Sequence, residues 1–209
     1  MDRLEDDLAA FYDQEAAVRL ERDIDPPRVE LRGEFIEMLR QEASERVLEV
    51  GTGPGHDARA FLAAGLDVAG VDLSIEHVRM ARAAGVDAFH ASLFDLPFTD
   101  RSFDAGWTMS TLLHVPDDRF DAAMTSICSK LRVGAPLAVG LWGGFDREAL
   151  ADFDKIQPPR FFSLRSHDRA RSMLSVHGDI ERFETWPHEG ATPWEYQFVV
   201  LRVRARRDG

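Results

Sequence analysis

Apolar and polar residues alternate along the chain with two different periods. Near the start, apolar residues recur every three or four positions, which predicts helices over residues 2–23 and 28–42. The pair Pro26-Pro27 separates the two helices, because proline lacks the amide hydrogen that a helix interior needs. The first helix would bury one stripe, made of Leu4, Leu8, Phe11 and Val18 and interrupted by Glu15. We expect this helical segment, residues 1–44, to act as a lid on the rest of the domain.

From residue 46 onward, short strands alternate with helices. Runs of apolar and β-branched residues predict strands at 46–50, 67–71, 86–90, 103–109 and 137–142. Helical spacing predicts helices at 56–64, from Ser74 to Gly85, and at 117–132. Strands that alternate with helices indicate a parallel sheet with helices on both of its faces.

The last third of the chain departs from this alternation. Residues 143–165 have no regular period and are predicted to be irregular, and a short helix follows at 167–176. Two β-rich runs, 180–186 and 194–203, have no helix between them, so we expect them to be antiparallel neighbours. We see no repeat and no linker. The sequence therefore predicts one domain in three parts, residues 1–44, 45–142 and 143–209.

The net charge of the chain limits the kinds of molecule that we expect it to bind. The 209-residue chain has 25 Lys and Arg against 37 Asp and Glu, a formal net charge of −12. Such a chain repels a phosphate backbone unless its basic residues share one face. The alternating Arg202, Arg204 and Arg206 most simply describe the solvent face of the last strand. We therefore expect no nucleic-acid partner.

Cysteine content and hydropathy set the compartment that we expect. The only cysteine, Cys128, excludes an intrachain disulfide and a zinc site of several cysteines, and we expect it to be a small buried residue. The acidic N-terminus has no apolar signal segment, and no apolar run approaches the ~20 residues of a membrane helix. We expect a cytoplasmic protein with neither a metal site nor a membrane partner.

A glycine-rich loop between the first strand and the following helix is the clearest chemical signal. In Gly51-Thr52-Gly53-Pro54-Gly55 the missing side chains let the backbone turn sharply and approach a ligand closely. Asp72 ends the next strand, where its carboxylate can accept hydrogen bonds from both ribose hydroxyls of a nucleoside. Adjacent parallel strands bring the loop and Asp72 to the same sheet edge. A tight turn without a ligand is the alternative.

The glycine spacing distinguishes between two cofactor classes. A dinucleotide fingerprint, G-x-G-x-x-G, would place its third glycine at position 56, which is His56. Here the third glycine comes one residue earlier, at Gly55. The spacing therefore argues against an NAD-type oxidoreductase, which stays open as an alternative.

Four segments, in order, resemble the motifs of class I S-adenosylmethionine-dependent methyltransferases. Residues 47–55 (VLEVGTGPG) resemble the first motif and residues 71–74 (VDLS) the second. Residues 96–104 (LPFTDRSFD) resemble a segment of the small-molecule branch, which includes the quinone-biosynthesis methyltransferases. Residues 131–137 (LRVGAPL) resemble the L-x-P-G-G-x-L turn, with its proline and second glycine replaced. The resemblance covers residues 46–142, about half of the chain.

This resemblance implies a fold and a cofactor. The fold would be an α/β Rossmann-like, doubly wound sheet of seven strands in the order 3-2-1-4-5-7-6. Strand 7 would be antiparallel, and helices would cover both faces. The methyl donor would be S-adenosyl-L-methionine, the product S-adenosyl-L-homocysteine, and the acceptor a small molecule. Residues 45–142 would bind the cofactor and residues 143–209 would face the acceptor, whose identity the sequence does not predict; nor does it predict the oligomeric state.

The resemblance also implies roles for individual residues. The cofactor-binding set is Glu49, Gly51, Thr52, Gly53, Gly55, Asp72, Leu73, Ser92, Leu93, Thr108 and Met109. In it, Glu49 would face the ammonium of the cofactor, Asp72 the ribose and Leu73 the adenine. The backbone of Gly51 and Gly53, and that of Thr108 and Met109, would line the methionine part of the cofactor. Ser92 stands where most relatives have Asp to contact the adenine amino group, and Leu93 could donate its backbone N–H to the ring.

Two residues are candidates for catalysis. Methyl transfer is an in-line displacement in which orientation supplies up to roughly 7–11 kcal/mol, and a general base adds to this when the acceptor must lose a proton. His114, after the fourth strand, could be that base or orient the acceptor, or it could only structure its loop. Tyr12, followed by Asp13, resembles the tyrosine of the lid in related enzymes and could close over the cofactor or simply pack in its helix.

The acceptor side offers aromatic residues. Residues 142–145 (WGGF), with Arg160, Phe161 and Phe162, could form the wall of an acceptor pocket, although aromatic residues are common in cores. His77 and His90 are expected at the solvent or at a sheet edge. A small-molecule methyltransferase is the favoured function. A non-catalytic module that binds the same cofactor is a further alternative, because the chemistry does not require a base.

Overall fold

The computed structural model describes residues 2–188 and 193–205. Their helices are α1 (Arg3–Glu21), α2 (Pro26–Gln41), α3 (His56–Ala63), α4 (Ile75–Ala83), α5 (Asp117–Lys130) and α6 (His167–Ser175). Their strands are β1 (Arg46–Val50), β2 (Asp67–Asp72), β3 (Asp87–His90), β4 (Ala105–Met109), β5 (Pro136–Gly143), β6 (Arg147–Leu150), β7 (Phe161–Leu164), β8 (Gly178–Pro187) and β9 (Glu195–Val203).

Seven of these strands form one sheet, in the order β3-β2-β1-β4-β5-β9-β8. The pairs from β3 to β5 are parallel, and β9 runs antiparallel to both β5 and β8. In this sheet β8 and β9 are the sixth and seventh strands along the chain. The predicted order 3-2-1-4-5-7-6 with an antiparallel seventh strand is therefore confirmed.

Apolar side chains cover both faces of the sheet. Successive residues of a strand point to opposite faces, and in β1 Val47 packs into one buried cluster and Leu48 into the other. The first cluster includes Phe61 of α3 and Val78 of α4, and the second includes Met124 of α5. The helices thus lie in two layers, which leaves the carboxyl-end edge of the sheet free to form a site.

A small second sheet lies within the stretch that the pattern predicts as irregular. Strands β6 and β7 pair antiparallel as a separate two-stranded sheet. Each strand has only four residues, and most of β6 is exposed, so the alternation that identifies a strand is absent there. The expectation of wholly irregular structure over 143–165 is wrong for these eight positions.

The buried face of α1 differs from the predicted apolar stripe. Val18 is 57% exposed, whereas Glu5, Phe11 and Ala16 are buried. The Glu5 carboxylate accepts a hydrogen bond from the hydroxyl of Ser92, so a polar contact lies on the buried face beside the predicted stripe. A count of apolar residues does not identify the buried face of α1, because this helix packs partly through polar side chains.

Three further expectations concern the arginines at the end of the last strand, the burial of Cys128 and membrane-spanning helices. Arg204 is exposed and Arg202 half-buried, and they form ion pairs with Asp179 and Glu181, while Arg206 lies outside the described residues. Cys128 is half-buried, and burial raises the pKa of its thiol to about 12. Within residues 2–188 and 193–205, no helix combines the length and apolar character needed to cross a bilayer.

Candidate active site

A cavity of about 430 Å³ opens at the carboxyl ends of the central strands. The glycine loop after β1, the ends of β2 and β4, and the chain around Asp23 line one part of it. Side chains from β5, β8 and β9 line the other part. The order of the strands in the sheet therefore fixes the order of the groups along the cavity, from β2 at one end to β8 at the other.

The glycine loop forms a cradle that side chains would block. Gly51, Gly53 and Gly55 have φ angles of 77°, 54° and 90°, a region that residues with a Cβ rarely adopt. A Cβ on Gly51 would lie 1.9 Å from the Thr111 hydroxyl oxygen, so the loop packs tightly there. A Cβ on Gly53 would meet no atom within 4 Å, so this residue borders open space. The loop thus offers bare backbone to a ligand.

Asp72, at the end of β2, holds the loop in place. Its Oδ2 accepts a hydrogen bond from the Gly53 N–H at 2.8 Å. Its Oδ1 accepts one from the Ser74 N–H at 2.8 Å, and the Nδ1 of His77 lies 3.4 Å from the same oxygen. The structure therefore brings together the two features that the sequence pairs, and it adds a histidine to them.

His77 is buried, and the expectation that it faces solvent or a sheet edge is wrong. The residue is 4% exposed, its backbone N–H donates to the Ser74 hydroxyl at 3.1 Å, and its ring lies 5.6 Å from that of Tyr12. Ser74 caps α4, and this fixes position 77 in the first turn, facing the end of β2. His90 is exposed as expected, with its Nε2 2.9 Å from the carbonyl oxygen of Leu73.

Glu49 lies beneath the loop and not on the cavity surface. It is 2% exposed, and it accepts a hydrogen bond from the Thr52 hydroxyl at 2.6 Å. Burial raises the pKa of Glu49 well above its ordinary range, and the negative charge of Asp57 raises it further. Thr52 lies between this carboxyl group and the cavity, which it lines.

A buried ion network joins α2 to the start of α3. Asp57 is fully buried and pairs with Arg28 and with Arg32, whose Nη1 lies 2.7 Å from its Oδ1, and the indole N–H of Trp107 donates to it at 2.9 Å. Burial alone would raise the pKa of Asp57, but Arg28 and these hydrogen bonds lower it below its ordinary value. Sequence reasoning missed this network, although two arginines four residues apart on one helix face are a signal for it.

The two candidate catalytic residues, Tyr12 and His114, contact each other in the lining of the cavity. The Tyr12 hydroxyl oxygen is 2.8 Å from the Nε2 of His114, and the Nδ1 of His114 is 2.7 Å from the carbonyl oxygen of Phe161. A carbonyl only accepts, so Nδ1 carries the hydrogen and Nε2 accepts from the Tyr12 hydroxyl. Burial lowers the pKa of His114 to about 3, so its ring is neutral at physiological pH.

Aromatic side chains form the far side of the cavity. The ring of Trp142 lies 4.9 Å from His188 and 4.7 Å from Tyr196, and Trp186 lies 4.8 Å from Tyr196. We call the aromatic residues of this lining the aromatic wall: Trp142, Trp186, His188, Trp194 and Tyr196. Offset and edge-on contacts between aromatic rings are favourable, so the wall is a preformed surface.

Comparison with known proteins connects this geometry to a family. Residues 47–134 match the family model for a methyltransferase domain. An O-methyltransferase of Aspergillus nomiae is 32% identical over 118 residues, which are 52% of this chain and 52% of that protein. The 27-O-demethylrifamycin SV methyltransferase of Amycolatopsis mediterranei is 30% identical over 139 residues, 62% of this chain and 48% of that one. The chain spans about half the length of these curated relatives.

A solved structure shares the whole architecture. The 1,6-didemethyltoxoflavin-N1-methyltransferase of Burkholderia thailandensis, crystallised with 1,6-didemethyltoxoflavin and S-adenosylhomocysteine, aligns with a TM-score of 0.75. The alignment covers 97% of this chain and 88% of that one at 19% sequence identity, so it shows the fold. The match of residues 47–134 and the shared fold support a class I S-adenosylmethionine-dependent methyltransferase.

The residues predicted to bind the cofactor divide into two groups in this structure. Those that line the cavity are Gly51, Thr52, Gly53, Asp72, Leu73, Leu93 and Met109. Four others do not line it: Glu49, Gly55, Ser92 and Thr108. Gly55 packs toward α4, since a Cβ there would lie 3.3 Å from the Cα of Ala81, and Ser92 binds Glu5 of α1. Thr108 is 1% exposed within β4.

Of the residues predicted to form the acceptor wall, only Trp142 lines this cavity. Arg160 pairs with Asp154 at 2.6 Å, its guanidinium lies over the ring of Phe11, and it does not line the cavity. Phe162 lines a smaller neighbouring cavity of about 130 Å³. Sequence reasoning missed the other members of the wall because they lie on the last two strands and the loop between them, where the predicted strand order does not fix which side chains face the cavity.

Proposed function

We propose that this methyltransferase transfers a methyl group from S-adenosyl-L-methionine to a small molecule bound against the aromatic wall. One observation carries the proposal. A single cavity runs from Asp72 and the glycine loop, past the Tyr12–His114 pair, to the aromatic wall. A donor at the first end and an acceptor at the other would meet beside His114.

The residues at the first end fit the cofactor. Gly53 borders open space, Asp72 offers a carboxylate beside it, and the cavity has the size of ordinary ligand sites, roughly 300–1,000 Å³. Asp72 would bind the ribose, Leu73 and Leu93 the adenine, and the backbone of Gly51 the methionine part. When bound, the cofactor supplies a methyl group activated on a sulfonium. Glu49 would support the loop through Thr52.

His114 would orient the acceptor. A general base works best when its pKa is near the operating pH, and burial lowers the pKa of His114 to about 3. Such a histidine takes a proton poorly, but its neutral Nε2 is a good hydrogen-bond acceptor. An acceptor hydroxyl that replaced Tyr12 at Nε2 would be held by a ring that Phe161 fixes from behind.

The aromatic wall favours a planar acceptor. Flat rings stack on indole and phenol rings with a gain beyond their buried area, about 0.5–1.5 kcal/mol for a pair. The curated relatives named above are O-methyltransferases in two organisms, so a planar molecule with a hydroxyl group is the first class to test. A nucleic-acid acceptor is not proposed, because the net charge is −12.

The first helix would serve as the lid. Asp13 accepts hydrogen bonds from the Ser74 hydroxyl at 2.6 Å and from the Glu76 N–H at 3.2 Å, which ties α1 to the start of α4. Tyr12, the neighbouring residue, then reaches His114 on the other side of the cavity. Opening the lid would have to break these contacts, and closing it would exclude water from the reacting groups.

Calorimetry followed by a labelling assay tests the proposal. We expect the protein to bind S-adenosylhomocysteine in the micromolar range and NAD not at all. Incubation with methyl-labelled S-adenosylmethionine and a metabolite extract should then give a labelled small product. Heat with NAD and none with S-adenosylhomocysteine would reverse the cofactor assignment. Binding without any labelled product would support the non-catalytic module.

A further inference from the structure

The carboxylate of Asp72 has little capacity left for a ligand with two neighbouring hydroxyls. Oδ1 accepts from the Ser74 N–H and also faces the Nδ1 of His77, while Oδ2 accepts from the Gly53 N–H. A carboxylate has about four lone-pair sites in total, and the protein already uses three. Asp72 can therefore take one ribose hydroxyl at full strength, and the second needs another acceptor.

His77 presents such an acceptor to the same cavity. Its Nε2 is buried and has no hydrogen-bond partner among the described residues, although the ring lines the cavity. A carboxylate only accepts, so the His77 Nδ1 that faces Asp72 carries the hydrogen and Nε2 presents a lone pair. Buried polar atoms without a partner are rare and unfavourable in folded proteins, so this one points to a ligand.

The surrounding protein groups do not serve the His77 Nε2. The ring next to it belongs to Tyr12, whose hydroxyl is taken up by His114 at 2.8 Å. Ser74, which caps the same helix, directs its hydroxyl to Asp13 and accepts from the His77 backbone N–H. Both neighbouring hydroxyls are therefore engaged elsewhere.

We propose that His77 is a second ribose-binding residue of this methyltransferase. Its Nε2 accepts a hydrogen bond from one ribose hydroxyl of the S-adenosyl nucleoside, and Asp72 accepts from the other. The Nδ1 of the same ring steadies Asp72, so one side chain sets the positions of both acceptors. The inference rests on the proposed function, since it presupposes that the cavity binds this nucleoside.

The test compares S-adenosylhomocysteine with its 2′-deoxy and 3′-deoxy analogues by calorimetry. The wild type should bind each analogue about three- to tenfold more weakly than the parent, the loss expected for one hydrogen bond. His77→Phe keeps a ring beside Tyr12 but has no acceptor. This variant should bind S-adenosylhomocysteine about three- to tenfold more weakly than the wild type does. One of the two deoxy analogues should then bind the variant as tightly as S-adenosylhomocysteine does, whereas the other should still bind more weakly.

A control variant and a second readout separate this role from packing. His177 is a half-buried histidine paired with Asp121 outside the cavity, and His177→Phe should keep both penalties. In ¹⁵N-labelled wild type, the Nε2 resonance of His77 should shift when S-adenosylhomocysteine binds, and less with the analogue that lacks the bonded hydroxyl. Persistence of both penalties in His77→Phe, or, if that variant does not fold, a resonance that does not move, would overturn the inference. No binding by the wild type would instead count against the proposed function.

Discussion

The two ends of the cavity are built from different parts of the polypeptide. At the β1–β2 end, the contacts come from the backbone of residues 51–53 and from the carboxylate of Asp72, which lie close together in sequence. At the β5–β8 end, they come from ring side chains such as Trp142 and Trp186, which both pack against Tyr196 because β9 lies between β5 and β8.

This difference explains what each end can recognise. A backbone cradle tolerates few sequences, because a side chain at Gly51 would collide with Thr111 and a positive φ disfavours other residues. A wall of side chains can change its shape by substitution without changing the backbone. We therefore expect the β1–β2 end to fix the donor and the β5–β8 end to set the choice of acceptor.

The largest expected effect is on the free energy of unfolding and comes from removing the buried ion network that joins α2 to α3. Asp57→Ala would leave Arg28 and Arg32 without their buried partner, which costs about 3–5 kcal/mol of unfolding free energy in comparable sites. Asp67→Ala is the matched control, because this exposed aspartate pairs with Arg46 at the surface and should lose less than about 1 kcal/mol. Urea unfolding of both variants measures the difference, and equal losses would show that the network does not support the fold.

The next effect concerns binding at the β1–β2 end. Asp72→Ala removes the acceptor for the Gly53 N–H and the proposed acceptor for the ribose, so the affinity for S-adenosylhomocysteine should fall by about 1–3 kcal/mol. Asp87→Ala, at the exposed start of β3, should leave the affinity unchanged. Calorimetry decides, and an unchanged dissociation constant in Asp72→Ala would remove this residue from the site.

The contrast between the two ends also explains how far the sequence could predict the molecule. The glycine loop followed from local patterns, which determine a strand, a glycine turn and a helix in succession, and the sheet order followed from the family resemblance that the motifs carry. His77 was misplaced because its position depends on how α4 packs against the end of β2. Trp186 and Tyr196 were missed because the predicted strand order does not fix the register, which decides the side chains that face the cavity.

The pH dependence of stability probes the middle of the cavity, where the two ends meet. Burial lowers the pKa of His114 to about 3, from about 6.5 in the unfolded chain. Between these values the unfolded chain binds a proton that the native state does not, so stability rises with pH from about 3 to about 6.5 and is level above.

His114→Gln measures this contribution. Below pH 6.5 the wild type should lose up to about 1.4 kcal/mol per pH unit more than the variant, because only the wild type must keep this ring neutral. His90→Gln alters an exposed histidine and should keep the wild-type slope. Urea unfolding at about pH 7 and about pH 5.5 provides the comparison, and parallel slopes in wild type and His114→Gln would show that His114 titrates normally.

The smallest effect tests whether the β5–β8 end is independent of the cofactor. The indole N–H of Trp186 donates to the Asp25 carboxylate at 2.9 Å, which ties the aromatic wall to the start of α2. Trp186→Phe keeps a ring against Tyr196 and removes this bond, so stability should fall by about 1 kcal/mol. The double variant with Asp25→Ala should lose less than the sum of the two single losses, since both single variants remove one shared interaction.

The affinity for S-adenosylhomocysteine should stay within about twofold of the wild type, because the wall makes no part of the cradle. A tenfold loss of that affinity in Trp186→Phe would mean that the two ends are coupled through α2, and that the wall helps to hold the donor as well as the acceptor.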